Sequence, residues 1–394
     1  MQPNLLRETN PACVDARAAF SASGLPSAKT EAWIYTRLSD LTINPAEQAD
    51  VPQTDMPSGL VFQNGYLVSG TDNLPTGISV RTFDEDGQDM AVFTSYLPDD
   101  HLLSILSLGH VTGAYLIEIE ENTKIDDVLS FHFIGGDAES SSHPLLMIRI
   151  GKNSVCKMAE YHQSQSALSA PVIAIDVAEE AIFDHIKCQA DSDKAHHLAL
   201  TIMKCAARSD INSFTTAIGA ALGRHETHIH LDGEEANIAL SSIYMGRGEQ
   251  HHDMTTRMLH HVPHCTSSQL IRGVLDDTAR GVFQGKVLVA EGAQKTDGQQ
   301  MSRALLLSRK AEADAKPELE IYADDVVCSH GATAGELDET HLFYLMSRGI
   351  PEAEARALLI EAFLIDGLDQ IEDPTLSEFL TDAVRSWATD ATAS

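Results

Sequence analysis

Long hydrophobic segments are missing from this 394-residue sequence. No window approaches the roughly eighteen consecutive apolar residues that a membrane-spanning helix needs, so we expect no transmembrane segment. The first residues, Met1–Glu8, also lack the basic-then-apolar order of a secretory signal peptide. We therefore expect a cytoplasmic protein that does not enter a membrane.

Positive charge is scarce. Lys and Arg total 27 against 58 Asp and Glu, which gives a formal net charge of −31. A field of this sign repels phosphate backbones and anionic lipid headgroups, so we expect neither nucleic acid nor a membrane surface as a partner. The hydrophobic fraction of 43% is that of an ordinary globular protein, and it is large enough to build a core.

Closely paired cysteines are also missing. The six cysteines are far apart and none forms a Cys-x-x-Cys motif, so a disulfide framework is not indicated. This usage is typical of a reducing compartment, which agrees with a cytoplasmic location. It also leaves a reduced thiol available for chemistry.

The common nucleotide-binding and nucleophile motifs are absent as well. Gly151-Lys152 and Gly285-Lys286 lack both the upstream glycine and the following hydroxyl of a phosphate loop. The sequence contains neither a Gly-x-Ser-x-Gly nucleophile elbow nor a Gly-x-Gly-x-x-Gly dinucleotide motif. We therefore expect no ATP site and no dinucleotide site of the usual kind.

The N-terminal part, residues 1–112, has a mixed and partly helical pattern. Asn10 is a plausible N-cap, with Pro11 at the first helical position and Gly24 at the end of the helix. Trp33 is one of two tryptophans, and we interpret it as a buried aromatic anchor. Further along, the sequence predicts one short strand and one more helix, at Leu60–Phe62 and Asp99–Gly109.

Residues 113–335 predict β-structure, because short apolar and β-branched runs follow one another between Gly, Asn and Asp. From about residue 224 no helical period lies between the runs, so parallel strands joined by helices are disfavoured. A sandwich, a barrel and a parallel β-solenoid remain open. The rarity of tight turns, with Asp232-Gly233 as one hairpin candidate, weakly favours the solenoid. The runs are Ala114–Ile119, Leu145–Ile150, Val172–Val177, Thr227–Leu231, Ile238–Met245, Met254–Leu259, Gln269–Val274, Val282–Val289, Ala304–Leu307 and Leu319–Tyr322.

Residues 336–394 predict three helices. Asp338 caps the first helix, which ends at Gly349, and Pro351 starts the second, which ends at Gly367. The third covers Leu376–Trp387. Each helix has an apolar side that must be buried, either on the strands or against a partner protein.

Eight of the eighteen histidines lie between residues 225 and 265. With Glu226, Asp253 and Cys265 they offer ligands for zinc or iron, so a metal-dependent hydrolase is one hypothesis. Their spacing matches no named site, and polar residues are also typical of strand faces turned to solvent. A β-helix carbohydrate-active enzyme is another hypothesis, although it usually carries a secretion signal. The histidines are His225, His228, His230, His251, His252, His260, His261 and His264.

The best candidates for chemistry are Cys328 and His330, at the end of the β region. Side chains at i and i+2 leave the same face of a strand, so the sulfur and the ring are expected to point together. Thiolate and imidazole are ligands of iron–sulfur species. A neighbouring imidazolium would also lower the pKa of the thiol, although a Cys-x-His pair is often structural.

Longer motifs around this pair resemble the SufB/SufD family of iron–sulfur cluster assembly proteins. The Cys-Ser-His-Gly sequence favours the SufD branch over the SufB branch, and Val327 stands where the family has a lysine. The matching segments are Lys29–Thr36, His260–Leu270, Gly281–Lys286, Gly292–Gln300, Tyr322–Gly335 and Asp338–Pro351.

The resemblance implies a mainly β fold, with a right-handed parallel β-helix over 113–335, an N-terminal mixed α/β region over 1–112 and a C-terminal helical domain over 336–394. It implies a non-catalytic scaffold subunit of the SufBCD complex rather than an enzyme. The sister scaffold SufB would pair through the β-helix. The sequence leaves open whether the chain forms a homodimer when SufB and SufC are absent.

The resemblance also implies a transient iron–sulfur cluster, shared with SufB and held by His330 with Cys328 beside it as metal ligands. ATP would be hydrolysed by a separate subunit, SufC, docking on the C-terminal helices. We assign the docking residues to the apolar sides of the first two helices: Leu342, Leu345, Leu358, Leu359 and Phe363.

Overall fold

The structure is a computed structural model that describes residues 3–392 except 28, 40, 49–55, 137, 366, 369–370 and 372. The α-helices of this part of the chain are α1 (Pro3–Thr9), α2 (Pro11–Ser23), α3 (Gln88–Thr94), α4 (Leu102–Gly109), α5 (Glu339–Ser347), α6 (Glu352–Ile365) and α7 (Pro374–Thr392). The strands are β1 (Leu60–Gln63), β2 (Tyr66–Ser69), β3 (Ile78–Thr82), β4 (Gly113–Ile119), β5 (Lys124–Gly135), β6 (Ser141–Ser142), β7 (Pro144–Ile150), β8 (Val155–Ser164), β9 (Leu168–Ser169), β10 (Val172–Val177), β11 (Ile182–Gln189), β12 (His196–Cys205), β13 (Asp210–Ala217), β14 (Leu222–Leu231), β15 (Asn237–Gly246), β16 (His251–His260), β17 (Thr266–Leu275), β18 (Arg280–Val289), β19 (Asp297–Leu306), β20 (Glu312–Ile321) and β21 (Val327–Gly335).

Strands β4 to β21 wind into a parallel β-solenoid with two sheets. Sheet A has the order β3-β4-β7-β10-β12-β14-β16-β18-β20, and sheet B has the order β2-β1-β5-β8-β11-β13-β15-β17-β19-β21. The chain therefore alternates between the sheets, and each turn adds one strand to each. All these pairings are parallel except β1 with β2 and β3 with β4. The predicted parallel β-helix is confirmed, and the sandwich and the barrel are not formed.

One hairpin candidate was wrong, and one hairpin was not predicted. Asp232-Gly233 does not make a hairpin, because it leads from β14 in sheet A to β15 in sheet B. A hairpin does join β1 and β2, where the sequence predicted only one strand. Its turn residues Asn64 and Gly65 both have left-handed φ angles, 51° and 87°, as a tight two-residue turn requires.

Strands such as β8 and β11 were not predicted from the sequence, because polar residues interrupt their apolar pattern. Glu160 and His162 on β8 and His185 and Lys187 on β11 are buried, although such residues usually mark an exposed face. They lie on the inner side of sheet B, in alternation with the outward-facing Ala159 and Ile186. A partly polar interior therefore hid these strands from a search for alternating hydrophobicity.

Three apolar clusters hold the molecule together. One fills the solenoid, with residues such as Phe183, Ile229 and Phe283 from both sheets. A second joins α2 and α4 to the outer face of sheet A and includes Trp33, which is 4% exposed as predicted. The third joins the C-terminal helices to the outer face of sheet B. The N-terminal part and the C-terminal helices thus cover opposite faces of the solenoid.

The helix boundaries predicted from capping residues are confirmed. The Asn10 carboxamide oxygen accepts from the Ala12 amide at 3.0 Å, and Asp338 accepts from the Thr340 amide at 2.7 Å. α6 and α7 bury side chains such as Leu364 and Val384 on sheet B, whereas α5 buries none of its described residues.

Within the residues that the structure describes, no helix is long and apolar enough to cross a membrane. The division at 112/113 and 335/336 stays a prediction.

Candidate functional site

Cys328 and His330 lie on β21, the last strand of sheet B. In the described part of the chain β21 pairs on one side only, with β19, so it forms the open end of the sheet. Cys328 packs against the solenoid core, so its side of β21 is the inner side. Val327 and Ser329 alternate with Cys328 and His330 along the strand. Cys328 is partly buried and His330 is exposed. The predicted extended strand is confirmed, and its alternation puts both side chains on the inner side.

The sulfur of Cys328 lies over a position without a side chain. The register places Ser267, Gly298 and Cys328 next to one another on β17, β19 and β21. A Cβ atom at residue 298 would be 3.4 Å from Cys328 Sγ and 3.7 Å from Ser267 Oγ. Behind this space, His260 Nε2 is 2.8 Å from Ser267 Oγ, and both residues are buried. The thiol therefore faces the space over Gly298, which is bounded by Val287 and by the buried pair of Ser267 and His260.

The pKa of Cys328 is raised because burial disfavours the thiolate, although the backbone amide of Gly298 offsets part of this effect. The expectation that a neighbouring imidazolium lowers this pKa was wrong. The reason is geometric: the sulfur packs against the interior, where it loses water, while His330 stays exposed. The isolated chain therefore keeps this thiol protonated at neutral pH.

Two buried glutamines lie beneath His330. The register aligns Gln269, Gln300 and His330 on β17, β19 and β21. Both polar atoms of the Gln300 carboxamide, and the nitrogen of Gln269, are buried without a hydrogen-bond partner. The Gln269 oxygen accepts from Thr256 Oγ1 at 2.6 Å. A Cβ atom at Gly285 would collide with the Gln300 side chain, so that glycine makes room for it.

These inner residues were not recognised from the sequence. Ser267, Gln269, Gly285, Gly298 and Gln300 all fall inside the segments that carry the family resemblance. Their alignment under β21 depends on strand register, which the sequence alone did not provide. The upstream segments of the family resemblance therefore form the floor of the site that contains Cys328 and His330.

Val327, at the position where the family resemblance implies a lysine, is 66% exposed at the start of β21. The cation of the neighbouring corner is Lys295, which forms an ion pair with Asp325. Its backbone amide also donates to the Asp325 carbonyl at 2.6 Å. Lys295 therefore places a positive charge one turn away from position 327.

The eight histidines between 225 and 265 do not form one centre. They divide among the solenoid interior, the face of sheet A that meets the N-terminal part, and the corners between the sheets. The expectation of a solvent-facing set was also wrong for half of them, since His225, His228, His252 and His260 are at most 4% exposed. This division leaves no basis for a hydrolase centre built from the whole set.

The interior histidines form a row across successive turns. The ring centroids of His162 and His197 are 4.9 Å apart, and those of His197 and His225 are 4.8 Å apart. Burial lowers the pKa of His162 to about 4 and that of His252 to about 3. His162 and His252 are therefore neutral at pH 7.

A fully buried charge cluster joins the N-terminal part to sheet A. Arg224 donates to Asp253 at 2.7 Å and to Glu226 at 3.0 Å, and its guanidinium stacks 4.1 Å from the Trp33 ring centroid. The second oxygen of Glu226 contacts His101 Nε2 and His228 Nε2, both at 2.9 Å. Burial opposes the charge on Glu226, but Arg224, His101 and the hydrogen bonds from His101 and His228 together outweigh burial and keep the pKa of Glu226 well below its usual range.

Three of the five predicted docking residues line two pockets beside α5 and α6, whereas Leu345 and Leu358 lie outside both linings. A cavity of about 300 Å³ is lined by Leu359 and Phe363, and a second of about 170 Å³ is lined by Leu342. Leu358 is 41% exposed. The most exposed apolar residues of α5, however, are its other apolar positions: Phe343 at 73%, Tyr344 at 55% and Met346 at 41%.

Comparison with known proteins agrees with this arrangement. Residues 132–363 match the family described as SUF system FeS cluster assembly, SufBD core domain. The chain is 30% identical over 381 residues to an iron–sulfur cluster assembly SufBD family protein of Synechocystis sp., which covers 88% of this chain and 84% of the relative. It is 30% identical over 373 residues to the iron–sulfur cluster assembly protein SufD of Escherichia coli, covering 90% and 88%. SufD of Bacillus subtilis is 28% identical over 292 residues, covering 69% and 64%.

Proposed function

The chain belongs to the SufB/SufD family of iron–sulfur cluster assembly proteins, and we propose that it acts as a non-catalytic scaffold subunit whose Cys328 and His330 supply part of a nascent-cluster site. The observation that carries this proposal is the position of both donors on the inner side of the last solenoid strand. The cluster is cargo, assembled there and passed on.

The donor set fits iron–sulfur cargo but is incomplete on this chain. Soft thiolate and imidazole both bind iron in such clusters, which take four protein ligands in the common forms. One strand offers two. The remaining ligands would come from a second polypeptide across the open end, which explains why the sequence shows no complete active site.

The open end is suited to receive that polypeptide. β20 and β21 each lack a strand partner on one side within the described residues, and unpaired edges accept a strand from another chain. Apolar side chains are exposed beside them, including Tyr322 at 63% and Val327 at 66%. Pro317 in β20 donates no hydrogen bond, so β21 is the better pairing edge. The sister scaffold SufB is the proposed partner, and a second copy of this chain would occupy the edge in its absence.

The raised pKa of Cys328 suits a site that binds iron only after the partner subunit has docked. The thiol must lose its proton to bind iron, and metal binding drives that loss. A partly buried, protonated thiol reacts slowly until a partner brings iron and covers the space over Gly298. Premature oxidation is thereby limited in the free subunit.

ATP hydrolysis is assigned to a separate subunit, SufC, docked on α5 and α6. The support is the exposed apolar surface there, which includes Phe343, Met346 and Leu358, beside the cavity lined by Leu359 and Phe363. Helices that present such a surface are typical docking elements. We place the contact on this surface and not on α7, because α7 packs its apolar side on sheet B.

The test is co-expression of the chain with SufB and SufC, followed by anaerobic assay of iron and acid-labile sulfide. We expect His330→Ala to leave the complex intact and to remove most of its iron and sulfide, and Cys328→Ser to lower both. Ser329→Ala is the matched control, since Ser329 lies between them on the opposite side of β21. An intact His330→Ala complex with unchanged iron and sulfide would overturn the assignment.

A further inference from the structure

A second group of potential metal ligands lies at a corner of the solenoid, away from Cys328 and His330. Its members are His230 near the end of β14, Asp232 just after that strand, and His261 just after β16. The register pairs Leu231 with His260, so the next residues, Asp232 and His261, are neighbours on adjacent turns. His230 and Asp232 are two residues apart and leave the same side of the chain. The parallel ladder therefore gathers all three on one outer surface.

The distance between the two imidazoles matches one shared metal ion. His230 Nδ1 and His261 Nε2 are 3.3 Å apart, and the rings are nearly parallel with centroids 5.5 Å apart. Two nitrogens bound tetrahedrally to one zinc at about 2.0–2.1 Å would be about 3.3–3.4 Å apart. Asp232 Oδ1 is 3.9 Å from His261 Nε2, so a small side-chain rotation completes the set. We propose that His230, Asp232 and His261 bind a divalent first-row metal ion of the Zn²⁺ or Fe²⁺ class.

The backbone holds these ligands in place. The amide of Asp232 donates to the Cys205 carbonyl at 3.0 Å, and that of His261 donates to the Leu231 carbonyl at 3.2 Å. Side chains of His261 and Asp232 are 38% and 45% exposed, so an ion has access from solvent and keeps open coordination positions. Two imidazoles and one carboxylate with open positions are a set that both catalytic zinc and ferrous iron use.

The neighbouring lysine on β12 does not block the site. Lys204 is the neighbour of His230 on β12, but its ammonium lies 4.0 Å from the Tyr96 ring centroid.

The other group with comparable ligands, His101, Glu226 and His228, is less suited to an ion. Glu226 there already accepts from both imidazoles and from Arg224, whose fixed positive charge opposes a metal. Among these two groups, only the corner group presents facing imidazole nitrogens to solvent.

The site lies on the same edge of the solenoid as the start of β21. The corners that begin at residues 232, 261, 290 and 322 follow one another along the axis. With about 4.8 Å between neighbouring strands, the His261 corner is about 10 Å along the axis from the corner that precedes Cys328. A role in supplying iron to Cys328 and His330 would rest on the proposed function, whereas metal binding itself does not.

The test uses the purified full chain, stripped of metal with a chelator and titrated anaerobically with Zn²⁺ and, separately, Fe²⁺. We expect one bound ion, and at least about a tenfold loss of affinity in His261→Ala and Asp232→Asn. His341→Ala is the matched control, because it also removes an exposed histidine and should bind like the parent chain. His330→Ala should also leave this affinity unchanged, which separates this site from the cluster site.

Co²⁺ provides a second measurement that does not depend on affinity. Bound at two nitrogens and a carboxylate, it should give d–d absorption without a thiolate charge-transfer band, and that spectrum should be lost in His261→Ala. The proposal is overturned if the parent chain binds no stoichiometric ion, or if His261→Ala and Asp232→Asn bind as the parent does. A thiolate band lost in Cys328→Ser would overturn it in favour of the cysteine.

Discussion

Gly298 lies directly beneath Cys328, and a Cβ atom at that glycine would come 3.4 Å from the cysteine sulfur. The other nearest atoms, Val287 Cγ1 at 3.5 Å and Ser267 Oγ at 3.7 Å, are also at ordinary van der Waals distance. The backbone of Gly298 is not left-handed. The position thus tolerates a methyl group, yet the space it would fill is the one the thiol faces.

Gly298→Ala should therefore fold normally and disturb only the thiol. We expect an unchanged or slightly raised thermal midpoint, since replacing a glycine without strain stabilises by about 0.4–1 kcal/mol. Iron and sulfide recovered with the SufB–SufC complex should fall. Gly292→Ala is the control, because a Cβ atom there meets no atom within 4 Å. Full cluster content in a stable Gly298→Ala protein would show that this space has no role.

Cys328 should be the one cysteine that reacts in the folded chain. The other five cysteines are at most 8% exposed. Because burial raises the pKa of Cys328, the alkylation rate should keep rising as the pH passes 9. Iodoacetamide labelling followed by mass spectrometry measures both features, and Cys328→Ser should remove the native label. Fast labelling that levels off near pH 7 would contradict the raised pKa.

The outline of the fold could be predicted from the sequence because it depends on local signals. Asn10 and Asp338 cap helices through contacts two residues away, and apolar runs such as Val282–Val289 become strands. The solenoid interior could not be predicted, because Glu160 and His162 are polar and yet buried. Gln300 beneath His330 depends on a register between distant strands. The candidate site was located by its motif, but its floor required the structure.

Arg224 should be essential for stability. It is fully buried and is held by Asp253, Glu226 and the carbonyl of Ala32. Arg224→Met leaves two buried carboxylates without their cation, which should cost about 3–5 kcal/mol of unfolding free energy. Lys152→Met breaks the exposed pair with Glu179 and should cost less than about 1 kcal/mol. Denaturant unfolding measures both, and similar losses would contradict the buried role.

The protein should lose stability as the pH falls below about 6.5. Burial lowers the pKa of His162 and His260 to about 4 and that of His252 to about 3. Because the unfolded chain binds protons at a higher pH than the folded chain, each such histidine favours unfolding by about 1.4 kcal/mol per pH unit below 6.5. This effect continues down to the folded pKa, and above pH 6.5 the histidine contribution is constant.

His252→Gln provides the check on this pH dependence. Removing one titrating group should reduce the acid slope of the unfolding free energy by about 1.4 kcal/mol per pH unit between pH 6 and 4. His341→Gln changes an exposed histidine and should leave the slope as it is. A slope that is identical in all three proteins would show that His252 is not held neutral.

The docking surface should be separable from the packing of the C-terminal helices. Phe363 serves both, because its ring lies 5.1 Å from the Arg272 guanidinium and its carbonyl accepts from Arg272 at 2.6 Å. Leu358 is 41% exposed, lies five residues earlier on α6, and is not among the described residues that pack on the third apolar cluster. Leu358→Glu should therefore keep the thermal midpoint and lose co-purification with SufC, whereas Phe363→Glu should lower both. A stable Leu358→Glu protein that still captures SufC would show that this part of α6 is not in the SufC contact. The exposed face of α5, with Phe343 and Met346, would then be the surface to change next.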